Sequence, residues 1–431
     1  MFASLLRLPL HWQIFIAIVL AVVVGLIFNL GPGPASDATA QASSIFAFFG
    51  TLFLNALKMV VVPLIFSSIV VGVASLGQEQ GLARLSLRTL GFYGLTTLAA
   101  VLIGLVFVNW FAPGIVDGEP ARELLNLSNT QDVQNQLGRV EGRSLKDVFE
   151  IFHRLVPSNV VAAAANAQIL GLIFFAILFG FFATRIETQL SQTIIQFWQA
   201  VFEIMMRITL FVMAFAPIGV FALIANTVSS TGFGAFKPLL VFFICVALAL
   251  IVHVSLTMSL LLRIVAKVNP IKLVQALAPA LLTAFSTASS SGTLPLTMKS
   301  MQERAGISDR ISAFVLPLGA TVNMNGTALY ECVAALFIAQ AYGMELDLVT
   351  QFTVVITALL TSIGVAGIPS ASLVAIAVIL GAIGLPLEGI AALMVTDRIL
   401  DMMRTAVNVY GDAVCATYIA HSEGESLMPI R

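Results

Sequence analysis

Apolar residues form long runs along most of the chain, and short polar or charged segments separate them. A membrane-spanning helix needs about 20 such residues. Six runs of suitable length precede residue 270, namely 14–30, 45–76, 90–112, 156–183, 194–228 and 239–265. The very long run 194–228 contains Pro217, so we expect one kinked or tilted helix there. A secretory signal is the alternative interpretation of the first run, but that run is longer than a usual signal core and further spans follow. We therefore expect an uncleaved first helix.

Segment 113–154 breaks this pattern with mixed charges, Asn and Gln, which predicts a loop with some surface helix outside the bilayer. Lys and Arg mark the opposite side of the membrane, because short cytoplasmic loops carry an excess of these residues. If six spans precede residue 270, one side carries Arg7, Arg84, Arg88, Arg263, Lys267, Lys272, Lys299, Arg304 and Arg310. The pattern predicts a multi-pass protein of the cell membrane with both termini in the cytoplasm.

After residue 270 the apolar runs become shorter and are interrupted. Segment 271–304 has two apolar halves around SSSGT (289–293), and each half is too short to cross a bilayer, so we expect a re-entrant hairpin. Segment 314–341 crosses but is broken at NMNGT. Segments 351–363 and 373–385 form a second hairpin around GVAGIPSAS (364–372), and 389–420 crosses again. Inverted repeats with interrupted helices are typical of a transporter site at mid-membrane.

Composition supports an all-α polytopic membrane protein. Hydrophobic residues make up 59% of the 431 residues and charged residues 10%, and the mean hydropathy is +1.01. A net charge of −1 gives no basic surface, so nucleic acid is not an expected partner. Cys245, Cys332 and Cys415 lie apart in apolar runs, which favours buried structural thiols over a disulfide or a thiolate metal site.

The last apolar segment carries a row of polar and charged residues on one helical face. At about 100° per residue the row falls within an arc of roughly 80°. Its members are Asp397, Asp401, Arg404, Thr405, Asn408 and Asp412. Such charges at membrane depth are costly unless each faces a partner, an ion or a ligand. The alternative is an internal salt bridge between Asp401 and Arg404 that only locks the helix, but it leaves acids in excess.

Charge and geometry suggest separate roles along this row. The planar fork of Arg404 suits a carboxylate, and Asp401 one turn earlier would pair with an ammonium group. An acidic amino acid carries both groups. Asp412, with Asn408 and backbone carbonyls near Gly319 and Asn323, offers hard oxygen ligands for a small cation such as sodium. Serines at the hairpin tips would add backbone N–H groups at half-helix starts, which favour a carboxylate.

Two acidic or nucleophilic groups admit other interpretations. Ser289–Ser291 could belong to an intramembrane hydrolase, but a serine enzyme needs a general base, and every histidine lies outside the polar cluster. These are His11, His153, His253 and His421. We therefore do not expect an enzyme. Glu331 is either a proton carrier or a hydrogen-bonding partner for a neighbouring helix, and the sequence leaves both open.

Five motifs together resemble one known family. They are LPLGATVNMNGTALYE, TASSSGTLPLTM, SIGVAGIPSAS, DRILDMMRTAVNVYGD and VPSNVVAAAANAQILGLIFFAILFG. The family is that of the dicarboxylate/amino acid:cation symporters (the glutamate/aspartate transporter family), which includes archaeal aspartate transporters and animal excitatory amino acid transporters. The resemblance implies eight transmembrane helices plus two re-entrant helical hairpins, assembled as a homotrimer in the lipid bilayer.

The resemblance also implies a division into a fixed scaffold and a transport domain that moves as an elevator. Residues 1–88 would form scaffold helices 1 and 2, and 89–112 helix 3 of the transport domain. Residues 113–232 would form the outer loop and scaffold helices 4 and 5. Residues 233–431 would form the rest of the transport domain, from helix 6 to helix 8 with both hairpins.

Matching the motifs residue by residue gives the implied sites. The substrate positions are Ser289, Ser290, Thr327, Gly367, Ile368, Asp401, Arg404, Thr405 and Asn408. One sodium site maps to Gly319, Asn323, Asn408 and Asp412, and a second to Thr321, Met324, Ser362, Ile363 and Val365. A third sodium site in the family uses positions that match Tyr93, Thr96, Thr97, Asn323 and an aspartate whose place Asn325 takes here.

This chain departs from the family pattern in two respects, at Asn325 and at the arginine positions, and it matches the pattern at Glu331. An amide at Asn325 supplies one neutral oxygen, so the third sodium site should be weaker or lost. Arginines that relatives often carry are replaced by Ala288 and Met402, and Arg398 is a candidate substitute that would pair with Asp397 or Asp401. Glu331 matches the glutamate that is thought to carry a proton in the animal members.

The resulting prediction is a symporter that imports aspartate or glutamate, coupled to sodium, with added proton coupling left open. Within the class, the alternatives are a C4-dicarboxylate or a neutral amino acid as substrate. Outside the class, a polar stripe could line an ion channel.

Overall fold

The computed structural model describes residues 10–33, 36–77, 83–125, 127, 156–165, 169–344, 347–364 and 371–427. The described chain is predominantly helical. Its first helices are α1 (Leu10–Leu30), α2 (Asp37–Gly77), α3 (Ala83–Phe111), α4 (Val160–Ala165), α5 (Ile169–Ala183), α6 (Thr188–Ala214), α7 (Ala216–Thr231) and α8 (Phe236–Val252). A π-helical segment, His253–Met258, connects α8 to α9 (Ser259–Ile264). Gly232–Ala235 and Leu387–Gly389 are short 3₁₀ turns.

Seven further helices follow residue 269 in the described ranges. They are α10 (Pro270–Thr287), α11 (Ser290–Glu303), α12 (Asp309–Val322), α13 (Asn325–Ala341), α14 (Leu348–Gly364), α15 (Ala371–Ile383) and α16 (Ile390–Ser422). Helices α13 and α16 form the centre, because every residue of α13 is buried and α16 packs against α8, α10, α12 and α13. Helices α1, α2 and α7 form a second packed group, and α2 also packs against α5 and α6.

Helix pairs occur where the sequence predicted re-entrant hairpins. Helices α10 and α11 pack against each other, and only Ala288 and Ser289 separate them. Ala288 takes a left-handed conformation (φ 52°), which ends α10 and turns the chain. Helices α14 and α15 also pack together, while the residues between them, 365–370, lie outside the described ranges.

One predicted helix is wrong in detail. The run 194–228 was expected as a single kinked or tilted helix, but the structure has two helices, α6 and α7, that meet at Phe215. Pro217 lies in the first turn of α7. Proline has no N–H to donate and its ring clashes with the preceding turn, whereas both effects are tolerated at a helix start. The chain therefore ends one helix and begins another.

Three described helices are long and apolar enough to cross a membrane, judged by length and composition. They are Leu87–Phe111, Phe236–Ile264 and Asp309–Ala341. Shorter apolar helices cover Ile16–Leu30, Val62–Ala74, Phe174–Ala183, Ala216–Ser229 and Leu348–Ser362. Large apolar side chains such as Leu30, Trp110 and Leu282 lie exposed on the outside. These features are consistent with a polytopic membrane protein, and the count of eight helices with two hairpins stays a prediction.

The described start of the predicted outer loop is fastened to the helical core. Strands β1 (Ile115–Val116) and β2 (Glu119–Pro120) form a short antiparallel hairpin. The buried amide of Gln340 on α13 accepts a hydrogen bond from the Gly114 N–H and donates one to the Val108 carbonyl, each at 3.1 Å. Lys237 and Asp117 form an exposed ion pair at 2.8 Å. Residues 128–155, where surface helix was expected, lie outside the description.

We predict that Gln340→Leu lowers the melting temperature of the purified protein by several degrees. The change leaves the buried Gly114 N–H without its partner, which costs about 1–3 kcal/mol, and it removes one of the two hydrogen bonds that the Val108 carbonyl accepts. Asn109→Ala is the matched control, because the Asn109–Gln351 hydrogen bond of 3.1 Å lies at an exposed position. Thermal unfolding in detergent measures both. Equal melting temperatures for Gln340→Leu and the unmodified protein would contradict the assigned role of this amide.

Candidate functional site

The site is built on the interruption between α12 and α13. Asn323 and Met324 leave the helical conformation there (φ −91°, ψ 86° and φ −112°, ψ 46°). The N–H of Gly326 then donates to Oδ1 of both Asn325 and Asn408, at 2.9 and 2.8 Å. A Cβ at position 326 would lie 2.9 Å from the Arg404 carbonyl oxygen, so glycine permits this close approach. The start of α13 therefore rests directly on α16.

An oxygen-rich cluster surrounds Asp412. Nδ2 of Asn323 donates to Oδ1 of Asp412 at 2.8 Å, while Oδ1 of Asn323 is buried and has no hydrogen-bond partner in the described part of the chain. A Cβ on Gly319 would lie 2.3 Å from Oδ1 of Asp412 and 2.5 Å from the Tyr93 hydroxyl. That hydroxyl donates to the Val315 carbonyl at 3.1 Å. Carboxylate, amide, hydroxyl and carbonyl oxygens are the ligands that small hard cations prefer.

Asn408 connects this cluster to the next turn of α16. Its Nδ2 donates to Oγ1 of Thr327 at 3.0 Å and lies 3.2 Å from Sδ of Met324. Its backbone carbonyl accepts a longer bond, of 3.4 Å, from Asn323. Thr405 donates its hydroxyl to the Asp401 carbonyl at 2.8 Å. The predicted substrate and cation positions on α12, α13 and α16 are thus adjoining.

Arg404 is fully buried in a network of opposite charges. Its guanidinium donates to Oδ1 of Asp401 at 2.7 Å and to Oδ1 of Asp397 at 3.1 Å. The Tyr330 ring lies 3.8 Å from the guanidinium carbon, and the Tyr330 hydroxyl donates to Asp397 at 3.1 Å. The internal salt bridge considered as an alternative is therefore present. Nε of Arg404 is buried and has no hydrogen-bond partner among the described residues.

Two of the three acids in the row on α16 have arginine partners, and the third has none in the described ranges. Arg398 lies 3.8 Å from Oδ2 of Asp401, as the sequence suggested, so two arginines face the two acids Asp397 and Asp401. Asp412 lies two turns after Arg404, is 3% exposed, and belongs to none of the ion pairs found in the described ranges. A buried carboxylate without a cation is costly. Among the acids of this row, Asp412 is thus the one without a cationic partner in the described part of the chain.

Asn325 is buried beside this cluster. Its single amide oxygen already accepts the Gly326 N–H, and its Nδ2 is without a hydrogen-bond partner in the described ranges. A Cβ at Gly411 would lie 2.8 Å from Nδ2 of both Asn323 and Asn325. N–H groups carry partial positive charge, so they are poor neighbours for a cation. Thr96 and Thr97 on α3 are buried too, and Thr96 donates to the carbonyls of its own helix.

The helix-pair positions divide into described and undescribed residues. Oγ of Ser289 accepts the Gly292 N–H at 3.1 Å and caps α11, which packs with α10 against α16; Ser290 is buried. Ser362 is buried and donates to the Leu359 carbonyl, whereas Thr321 is exposed and donates to the Leu318 carbonyl. Val365, Gly367 and Ile368 lie outside the described residues, as does the side chain of Ile363.

Sequence reasoning did not identify Tyr330 and Thr361 as site residues. Tyr330 follows Thr327 by one turn, so its position on the site-facing side of α13 was available as a signal. Thr361 donates to Oε2 of Glu331 at 3.0 Å, a contact between two helices that no local pattern indicates. Glu331 itself is 0% exposed.

Comparison with known proteins gives consistent matches over nearly the whole chain. The chain is 35% identical over 419 residues to a proton/sodium-glutamate symport protein of Geobacillus stearothermophilus, which covers 97% of this chain and 96% of the relative. It is 34% identical over 429 residues to a proton/glutamate-aspartate symporter of Escherichia coli (strain K12), covering 97% and 94%. Excitatory amino acid transporter 3 of Mus musculus is 32% identical over 453 residues, covering 94% and 84%.

The sodium:dicarboxylate symporter family matches residues 10–422, which include every helix of the site. The chain belongs to the sodium:dicarboxylate symporter family.

Proposed function

We propose that this protein is a secondary active transporter that imports aspartate or glutamate together with sodium and protons. The observation that carries the proposal is the buried guanidinium of Arg404, held between Asp397 and Asp401 two helical turns before Asp412, an acid without an ion-pair partner among the described residues. Relatives named as proton/sodium-glutamate and proton/glutamate-aspartate symporters support the same substrate class and coupling ions.

Arg404 has N–H donors for a substrate carboxylate, although Asp397 and Asp401 of its own helix occupy part of the guanidinium. The guanidinium has five N–H donors, and its Nε is unused by the described residues. A substrate carboxylate that replaces Asp401 on the fork leaves the Asp401 carboxylate free for the substrate ammonium. Asp397 and Tyr330 keep the guanidinium in place during this exchange. The cost of burying the charged substrate is lowered, because each of its charges meets an opposite one.

Arg404→Ala should reduce sodium-driven uptake of radiolabelled aspartate to background in proteoliposomes. Losing a buried, paired charge costs about 3–5 kcal/mol, a factor of more than 100 in affinity. Arg88→Ala is the control, because Arg88 pairs with Glu423 at the partly exposed end of the molecule. Retained aspartate uptake by Arg404→Ala would show that the substrate carboxylate binds elsewhere.

The comparisons support two other substrate classes, neutral amino acids and dicarboxylates. Neutral amino acid transporter B(0) of Homo sapiens is 33% identical over 451 residues, and the family name refers to dicarboxylates. Competition against aspartate uptake by excess succinate or serine separates the alternatives, since Asp401 favours substrates that carry an ammonium group. Accumulation against a concentration gradient separates all of them from a channel.

One sodium ion would bind at Asp412, whose carboxylate has no ion-pair partner among the described residues, with Asn323, Asn408 and the backbone carbonyl of Gly319 as the further ligands. Ser362 and Met324 would contribute to a second site with the adjoining residues. Glu331 would carry the proton, because it is an acid buried at membrane depth with one carboxyl oxygen unpartnered among the described residues.

The helices fall into two packed groups that fit a scaffold and an elevator. Helices α1, α2, α5, α6 and α7 would form the trimeric scaffold, and α3 with α8–α16 would carry the substrate across the cell membrane. Both termini would be cytoplasmic.

Gly319→Ala should raise the half-saturating sodium concentration of uptake at least tenfold, which corresponds to about 1.4 kcal/mol. The added Cβ would lie 2.3 Å from Oδ1 of Asp412, so the carboxylate must move. Gly94→Ala on α3 is the matched control, because nothing lies within 4 Å of a Cβ there. A sodium dependence unchanged by Gly319→Ala would remove Asp412 from the proposed ligands.

Asn325→Asp should steepen the sodium dependence of uptake, measured as a larger Hill coefficient. The amide nitrogen of Asn325 has no hydrogen-bond partner among the described residues. The substitution replaces it by a charged oxygen, the ligand that the resemblance to the family implies at this position. Asn325→Ala controls for loss of the amide without added charge and should leave the slope unchanged. If Asn325→Asp does not steepen the slope, the asparagine has not removed a sodium site.

A further inference from the structure

Thr361 is the one described side chain that hydrogen bonds to Glu331, through Oγ1 and Oε2 at 3.0 Å. Both residues are buried, at 2% and 0% exposure. The contact joins two helices, α13 and α14. Oε1 of Glu331 has no hydrogen-bond partner among the described residues. Within the described residues, this carboxyl group therefore has a single hydrogen bond, from the Thr361 hydroxyl.

Three acceptor oxygens lie within hydrogen-bonding distance of the Thr361 hydroxyl, which has one hydrogen to donate. Besides Glu331, the carbonyl oxygens of Thr357 and Ala358 lie 2.9 and 3.2 Å from its Oγ1. A threonine hydroxyl has one hydrogen to donate and two lone pairs that accept. Rotation about the Cβ–Oγ bond is sufficient to redirect the hydrogen, so no backbone movement is needed.

We infer that Thr361 is a positioning residue that satisfies Glu331 in both protonation states. When Glu331 is ionised, Thr361 donates to Oε2. When Glu331 is protonated, its O–H donates to Oγ1 of Thr361, and Thr361 donates to the Thr357 carbonyl. The hydroxyl rotates and transfers no proton itself; in the proposed transport cycle, the proton of Glu331 would come from water on one side of the membrane and be released to water on the other. This inference rests on the proposed proton-carrying role of Glu331.

Other ionisable groups lie on some of the helices that pack against α13. Helices α14 and α15 carry none in their sequences. On α16, Arg404 is near enough to interact electrostatically, but its charge is bound by Asp397 and Asp401. The remaining ionisable residues of the helices that pack against α13 are Asp412, Arg398, Tyr410, Cys415, Tyr418 and His421 on α16, Tyr93, Arg84 and Arg88 on α3, Lys237 and Cys245 on α8, and Tyr330 and Cys332 on α13 itself.

Thr361 also lies close to the end of α14, the first helix of the α14–α15 pair. Ser362, a proposed sodium ligand, is the next residue, and α14 ends at Gly364, directly before the segment 365–370. The hydrogen bond is therefore made by the last turn of α14. We expect protonation of Glu331 to change the hydrogen bonding of this turn.

The test compares Thr361→Val, which keeps the shape but removes the hydroxyl, with Thr361→Ser, which keeps the hydroxyl. Thr357→Val is the matched control, because Thr357 lies one turn earlier, is equally buried and donates to the Thr353 carbonyl. Sodium-driven aspartate uptake into proteoliposomes is measured against pH at saturating sodium. Infrared difference spectra over the same pH range record the carbonyl band of protonated Glu331, identified by its absence in Glu331→Gln.

Thr361→Val should move the alkaline limb of the uptake profile upward by about one pH unit, because the ionised carboxylate loses a charge-assisted hydrogen bond that is stronger than the neutral one. Its carbonyl band should move to higher frequency. Thr361→Ser and Thr357→Val should keep both features of the unmodified protein. If the valine variant does not fold, Thr361→Ala carries the same expectation.

Two results would overturn the inference, and they are distinguishable. A profile and carbonyl band unchanged in Thr361→Val, with pH dependence lost in Glu331→Gln, would refute only the role of Thr361. Retained pH dependence and an unchanged infrared spectrum in Glu331→Gln would refute the proton-carrying role of Glu331 as well.

Discussion

Compensation of charge along α16 is the constraint on which the rest of the site depends. A charged side chain at membrane depth is stable only with a partner, an ion or a ligand. The two arginines meet Asp397 and Asp401, and the Tyr330 ring covers the guanidinium of Arg404. This pairing uses up the positive charge of the helix. Asp412 has hydrogen bonds but no ion-pair partner among the described residues, and the proposed cation site is centred on it for that reason.

Close backbone approach is the second requirement, and glycine provides it. Gly326 and Gly319 bring α13 and α12 so near to α16 that a single Cβ would overlap its atoms. The interruption at Asn323 and Met324 then places the Asn323 amide beside Asp412, to which its Nδ2 donates a hydrogen bond. Polar backbone in an apolar surrounding needs partners, and the side chains of Asn325 and Asn408 supply them to Gly326. The break and the charged row are therefore parts of one arrangement.

The sequence predicted those features that local pattern determines. The interruption before Asn325 and the row from Asp397 to Asp412 follow from polar residues inside apolar runs, and both are present. Pro217 signalled a bend but not that one helix ends and another begins. Contacts such as Gln340 with Gly114 and Thr361 with Glu331 join residues far apart in sequence. Their geometry depends on how whole helices pack, which no spacing rule contains.

Coupling between cation and substrate follows from the spacing of α16 in the proposed function. Arg404, Asn408 and Asp412 recur every four residues, so they lie along about 12 Å of one helical face. Asn408 touches both ends, because its carbonyl accepts from Asn323 and its amide donates to Thr327. A cation at Asp412 that fixes Asn323 also fixes Asn408, and hence the position of Thr327. By linkage, substrate held at Thr327 and Arg404 strengthens cation binding by the same factor.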